Sequence, residues 1–97
     1  MERELIGRFA VSGAGRDKAC KYVIVHTDEK YLYLCDGKYH PLEKVKKKAY
    51  KHVEICAQSV EPQLRRRITN KEKVFDHEIK YAIKNQQEGK EEGYVKK

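Results

Sequence analysis

The sequence predicts a mainly β domain, a small barrel of short strands over about residues 5–57, followed by one or two short helices. Three observations predict it. Apolar residues alternate or cluster in several runs of five to seven residues before Ala57; tight turn signals separate those runs; and after Ala57 the apolar spacing changes to a helical period. Short strands joined by tight turns close into a barrel more readily than they leave long open edges.

"GRFAVS" puts Phe9 and Val11 on one face and Arg8 and Ala10 on the other. "KYVIVHT" is β-branched and almost continuously apolar, as a strand buried on both faces requires. "KYLYLCDGKYH" turns Leu32 and Leu34 one way and Tyr31, Tyr33 and Cys35 the other. "TDEK" (Thr27–Lys30) and "DGK" (Asp36–Lys38) are the turns, the second read as type I′ because Asp-Gly tolerates positive φ. "KHVEICA" supplies a further strand with Val53 and Ile55 on one face. Residues 1–57 thus form the barrel, residues 58–86 a helical extension and residues 87–97 a polar, glycine-interrupted tail expected to be disordered. Within the extension, Pro62 suits a first helical turn, with Leu64 and Ile68 at i, i+4. Phe75, Ile79, Ala82 and Ile83 mark a second helix, and a break falls near Lys71–Lys73. Thr69 and Glu72 also fit a capping box, which offers an alternative helix start at Asn70.

Charge is the strongest compositional signal. The 97 residues carry 22 Lys and Arg against 15 Asp and Glu, a formal +7, and an excess of that sign favours an anionic partner. It is concentrated in three places: "KVKKKAYKH" from Lys44 to His52, the Arg65-Arg66-Arg67 triplet, and Arg16, Lys18 and Lys21 around "GAGRDK". Lysine-rich runs suit phosphate contacts more than base reading, because lysine acts as a point charge. Tyr31, Tyr33, Tyr39 and Tyr50 offer rings on which unpaired bases stack. For Tyr31 and Tyr33 packing against the barrel is the favoured reading, which leaves Tyr39 and Tyr50 as the stacking candidates.

Other chemistries fit poorly. "GAGRDK" lacks the GxxxxGK[ST] spacing, and Gly13-Ala14-Gly15 lacks the third glycine and leads into a strand rather than a helix. The four histidines and three cysteines do not reach zinc-ligand spacing; the nearest pair is His52 and Cys56. Neither a nucleophile–base pair nor a deep pocket is expected, so the chain is read as a non-enzyme with no cofactor and no small-molecule substrate. Cys20, Cys35 and Cys56 are widely spaced and odd in number, which suits free thiols. With no signal-peptide pattern and no apolar run of membrane-spanning length, a cytoplasmic protein without a membrane partner is expected.

"GRFAVSGAGRDKACKYVIV" resembles the KOW motif, a β-loop-β element of ribosomal proteins and transcription elongation factors, with Gly7, Phe9, Val11, Gly15, Arg16, Lys18, Tyr22, Val23 and Val25 in its places. "YLYLCDGKYHPLEKVKKKAYKHVEI" looks like the remainder of the KOW-containing bacterial RNA-binding proteins related to an archaeal and eukaryotic large-subunit ribosomal protein family. Asp36-Gly37 and Lys46 to His52 carry that likeness, and Val74 to Ile83 looks like the group's C-terminal helix. The likeness covers roughly residues 5–85. It implies an SH3-like barrel in a ribonucleoprotein or translation setting, with ribosomal RNA as the first partner and ribosomal proteins as further ones. By that analogy Arg16, Lys18, Lys21, Lys46, Lys47, Lys48, Lys51 and His52 contact phosphates, and Gly13 and Gly15 shape the loop backbone. Members commonly have glycine where this chain has Ala19, and a position needing positive φ would strain alanine. Phe75 stands where a capping Ser or Thr is usual, which shifts the expected cap to Asp76. The alternative reading is an SH3-like protein-interaction module with a groove lined by Tyr31, Tyr33 and Tyr39.

Overall fold

A computed structural model describes residues 2–12 and 21–85. The "GAGRDK" loop, with Gly13, Gly15, Arg16, Lys18, Ala19 and Cys20, and the tail expected over residues 87–97 lie outside the described residues. The chain forms β1 (Arg8–Ser12), β2 (Lys21–Thr27), β3 (Tyr31–Cys35), β4 (Lys46–Ala49), β5 (Val53–Ser59), α1 (Pro62–Thr69) and a second helix, α2, over 76–85. The architecture is mainly β with a helical extension. All pairings are antiparallel in the order β4-β3-β2-β1-β5, so the chain meanders through four strands and returns to pair β5 with β1. Register shifts at Arg8/Ala10 and at Ile24/His26 add the local bending that a small curled sheet needs. This arrangement is consistent with an SH3-like barrel.

Directly opposed residues share a face of the sheet, and here each face carries a buried cluster. On the inner face Ala10 opposes Tyr22, and Ile24 opposes Leu34; with Leu32 they form one core cluster, against which Leu5, Tyr50, Val53 and Ile55 pack. On the outer face Phe9 opposes Val23, which opposes Cys35. Leu64 and Ile68 of α1 and Ile79 of α2 close over these in a second cluster. The continuous apolarity of "KYVIV" follows from this: Tyr22 and Ile24 serve the inner cluster while Val23 serves the outer. The extension therefore completes a core that the strands begin.

Local chemistry sets the connections. Gly7 precedes β1 at φ 93° and hydrogen-bonds through its N–H to the Ile24 carbonyl at 2.7 Å. Asp28 caps the β2–β3 turn, its Oδ1 accepting the N–H groups of Lys30 and Tyr31 at 2.9 and 2.8 Å. Asp36-Gly37 is not a type I′ hairpin, which would need positive φ at both residues: only Gly37 has it, at 76°. Asp36 Oδ1 instead accepts from Lys38 and His40, opening a longer connection through a 3-10 turn at Leu42–Lys44. A second 3-10 turn, Tyr50–His52, joins β4 to β5, so Lys51 and His52 lie on a turn rather than at the start of a strand, and β5 runs on to Ser59.

Helix α1 begins at Pro62 and ends with Lys71 at φ 60°. There the Lys71 N–H reaches the Ile68 carbonyl and the Glu72 N–H the Arg67 carbonyl, a Schellman arrangement. The alternative start at Asn70 is thereby corrected: Thr69 closes α1, its hydroxyl donating back to the Arg65 carbonyl at 2.9 Å. The expected cap at Asp76 is corrected too: α2 begins at Asp76, and the Phe75 carbonyl accepts the N–H groups of Glu78 and Ile79, so Phe75 holds the cap position. Asp76 Oδ1 accepts the Leu42 N–H at 2.7 Å and ties α2 to the β3–β4 connection. Phe75 is 46 % exposed, stacked near His77, and Val74 packs against the outer cluster in its place.

Candidate nucleic-acid interface

Among the described strands β4 is an edge, hydrogen-bonded to β3, and its sequence is three lysines and an alanine. Strand alternation divides those lysines between two faces. Lys46 opposes Leu34 and Lys48 opposes Leu32, both inner-face leucines, so these two half-buried lysines leave the barrel rim on the inner side. Such a position lets the aliphatic stem lie along apolar surface while the ammonium reaches water. The Lys46 Nζ accordingly lies 5.6 Å from the centroid of the buried Tyr22 ring. Lys47 opposes Tyr33, is exposed on the outer side, and holds its Nζ 4.6 Å from the Tyr31 ring centroid.

The chain on either side extends the positive edge. Lys44 is exposed before β4, and Lys51 and His52 are exposed on the turn after it. Among the described residues none of these cations makes an ion pair; Arg67–Glu78 is the pair found there. Lys21 is half-buried at the start of β2, opposite Val11. The sites predicted at Arg16, Lys18, Gly13 and Gly15 lie outside the described residues.

The arginine triplet is mostly structural. Arg65 donates through Nε to the Ile6 carbonyl at 2.9 Å and through Nη2 to the Glu4 carbonyl, tying α1 to the segment before β1. Arg67 donates to the Lys73 carbonyl at 2.8 Å and to Glu78 Oε2 at 3.2 Å; Glu78 Oε1 lies 3.0 Å away as a charge contact without hydrogen-bond alignment. Arg66 alone of the three is exposed. A run of like charges in sequence carries no sign of which members turn inward, so only the fold separates them.

The tyrosines divide as well. Tyr39 is 75 % exposed in the β3–β4 connection, with Lys38 Nζ 4.9 Å from its ring centroid. Tyr50 packs against the inner cluster and donates its hydroxyl to the Asp28 carbonyl at 2.9 Å. Tyr31 and Tyr33 share the outer face, and His26, opposite Tyr33, brings its ring to 5.1 Å from that phenol. His26 was not singled out from the sequence. The bulge at Ile24/His26 decides its face, and nothing in the residue pattern announces that bulge. Because Tyr39 lies beyond the Cys35 end of β3 and Tyr31 at the opposite end, the tyrosine-lined groove of the alternative reading is divided along the strand.

A cleft of about 660 Å³ lies between β5, α1 and α2, lined by residues including Phe9, Leu64, Arg67, Glu78 and Tyr81. Among the described residues, no three His, Cys, Asp or Glu side chains gather to hold a metal ion. Cys35 is free and buried, and burial pushes its thiol up to about 12. No described helix is long and apolar enough to cross a membrane. No protein-family model matches the chain, and no curated protein matches it.

Proposed function

We propose that this chain is an RNA-binding protein that works with ribosomal or other translation-associated RNA in the cytoplasm. It engages phosphates through the basic edge of its barrel and the KOW-like loop that joins β1 to β2. The observation that carries this reading is the row of Lys44, Lys46, Lys47, Lys48 and Lys51 along β4 and its flanking turns, without ion-pair partners among the described residues. Closely spaced cations repel one another, and a polyanion relieves that repulsion while releasing its own counterions. A row that emerges on both sides of one edge strand suits a backbone running along the strand, because each side offers an ammonium to a passing phosphate.

Edge lysines also deter strand-to-strand association, and one variant separates the two roles. In Lys46→Glu/Lys47→Glu/Lys48→Glu, verified as folded by circular dichroism, RNA affinity at low salt falls at least tenfold under the proposal. A purely protective edge leaves RNA affinity unchanged, and that result overturns the proposal.

A further inference from the structure

We infer that the outer face of β2 and β3, formed by His26, Tyr31 and Tyr33, is a stacking platform for unpaired bases, which makes single-stranded RNA the preferred ligand. This inference rests on the RNA-binding reading and narrows it. The outer face of the sheet has two halves. Phe9, Val23 and Cys35 form one, and α1 and α2 cover it. His26, Tyr31 and Tyr33 belong to the other and take no part in the cluster beneath the helices. His26 is exposed and the two tyrosines are half-buried, so each keeps part of its surface open to solvent.

These rings are held in place before any ligand arrives. The Tyr33 hydroxyl donates to Asp28 Oδ2 at 2.7 Å, and the His26 ring packs at 5.1 Å against Tyr33. Tyr31 follows directly from the capped turn, its N–H bonded to Asp28 Oδ1. Two residues along one strand, Tyr31 and Tyr33 are spaced about 7 Å apart, a step that an extended single strand can follow. Base stacking on aromatic side chains tolerates any sequence but needs bases free of a duplex.

Lys47 projects from the neighbouring strand and holds its Nζ over the Tyr31 ring, 4.6 Å from the centroid, so a base that stacks there meets an ammonium ready to pair with its phosphate. Asp28 closes the turn at the end of the platform, its carboxylate accepting two backbone N–H groups and the Tyr33 hydroxyl. Its carboxylate disfavours a phosphate there. The strand is therefore directed with its backbone toward β4 and its bases toward β3.

Fluorescence anisotropy with labelled oligouridine and with a duplex RNA of the same length tests this on the intact chain. The wild type should bind oligouridine more tightly. Tyr31→Leu should weaken oligouridine roughly 5- to 100-fold and leave the duplex within about twofold, whereas Tyr31→Phe, which keeps the ring, retains both. Photocrosslinking of bromouridine-substituted RNA to the unaltered protein needs no variant, and mass spectrometry should place the crosslinks on Tyr31, Tyr33 or His26. Equal affinity for the two RNAs, or crosslinks confined to other residues, overturns the platform while the RNA reading stands. Absence of binding to either RNA overturns both.

Discussion

Tyr33 donates its phenolic hydrogen to Asp28 Oδ2 across 2.7 Å, linking the middle of β3 to the turn that begins it. Asp28 holds that turn three further ways: its Oδ1 accepts two N–H groups, its own N–H reaches the Tyr31 carbonyl at 3.0 Å, and its carbonyl accepts the Tyr50 hydroxyl. One residue thus fixes three tyrosines and the 3-10 turn carrying Lys51 and His52.

The Asp28 carboxyl is held below its ordinary 3.8, first by the Tyr33 hydroxyl and then by the N–H groups of Lys30 and Tyr31. Tyr33 is raised above its ordinary 10.0 by the same bond. A depressed carboxyl contributes stability that is present above its unfolded value and lost as pH falls through its folded one; a raised phenol contributes stability that is lost as pH rises through its folded value. Wild type should therefore melt at a higher temperature than Tyr33→Phe near neutrality, with the gap closing below about pH 4. A gap independent of pH from neutral to strongly acidic contradicts this coupling.

Gly37 serves a different purpose from the hairpin turn that its Asp-Gly context suggests. A Cβ at its φ of 76° would collide with the Asp76 carbonyl and crowd the Lys80 N–H, so the loop and α2 approach each other only because glycine is there. Gly37→Ala should cost roughly 1–3 kcal/mol in urea denaturation. An unchanged midpoint would mean that α2 docks without this approach.

Ile79 is fully buried beneath α2, in the same cluster as Phe9, Val23 and Cys35. Ile79→Ala should cost roughly 2–5 kcal/mol, and helix and sheet should be lost together. Coincident denaturation curves from circular dichroism and tyrosine fluorescence check that cooperativity; early loss of helix alone contradicts a shared core.

Cys35 should be chemically quiet, because the thiolate is the nucleophile and burial pushes this thiol up to about 12. Iodoacetamide at pH 8, followed by peptide mapping, should label the half-buried Cys56 well before Cys35. Comparable rates would show that the cover provided by the helices opens readily.

Much of this fold is legible in the residues themselves. The opposed faces of "YLYLC", the doubly buried "KYVIV" and the Pro62, Leu64, Ile68 spacing all read correctly, because each depends on a local period and its burial. What escapes is what depends on distant partners. Arg65 and Arg67 read as free charge but bind backbone carbonyls of other segments. The Thr69–Glu72 capping box has the right letters, yet Lys71 in the left-handed region ends the helix there. "KKK" reads as one basic surface, and only the pairing of β4 with β3 shows that Lys47 departs on the opposite side from Lys46 and Lys48. His26 joins Tyr33 through a bulge, for which the residue pattern holds no signal.

The central claim is that the β4 edge binds an RNA backbone electrostatically, and the salt dependence of RNA affinity tests it most directly. With about five phosphates neutralised, log K against log salt should fall with a slope of roughly −3.5 to −4.5, and the Lys46→Glu/Lys47→Glu/Lys48→Glu variant should be shallower by two or more. A wild-type slope near zero, or a variant with the wild-type slope and affinity, contradicts it.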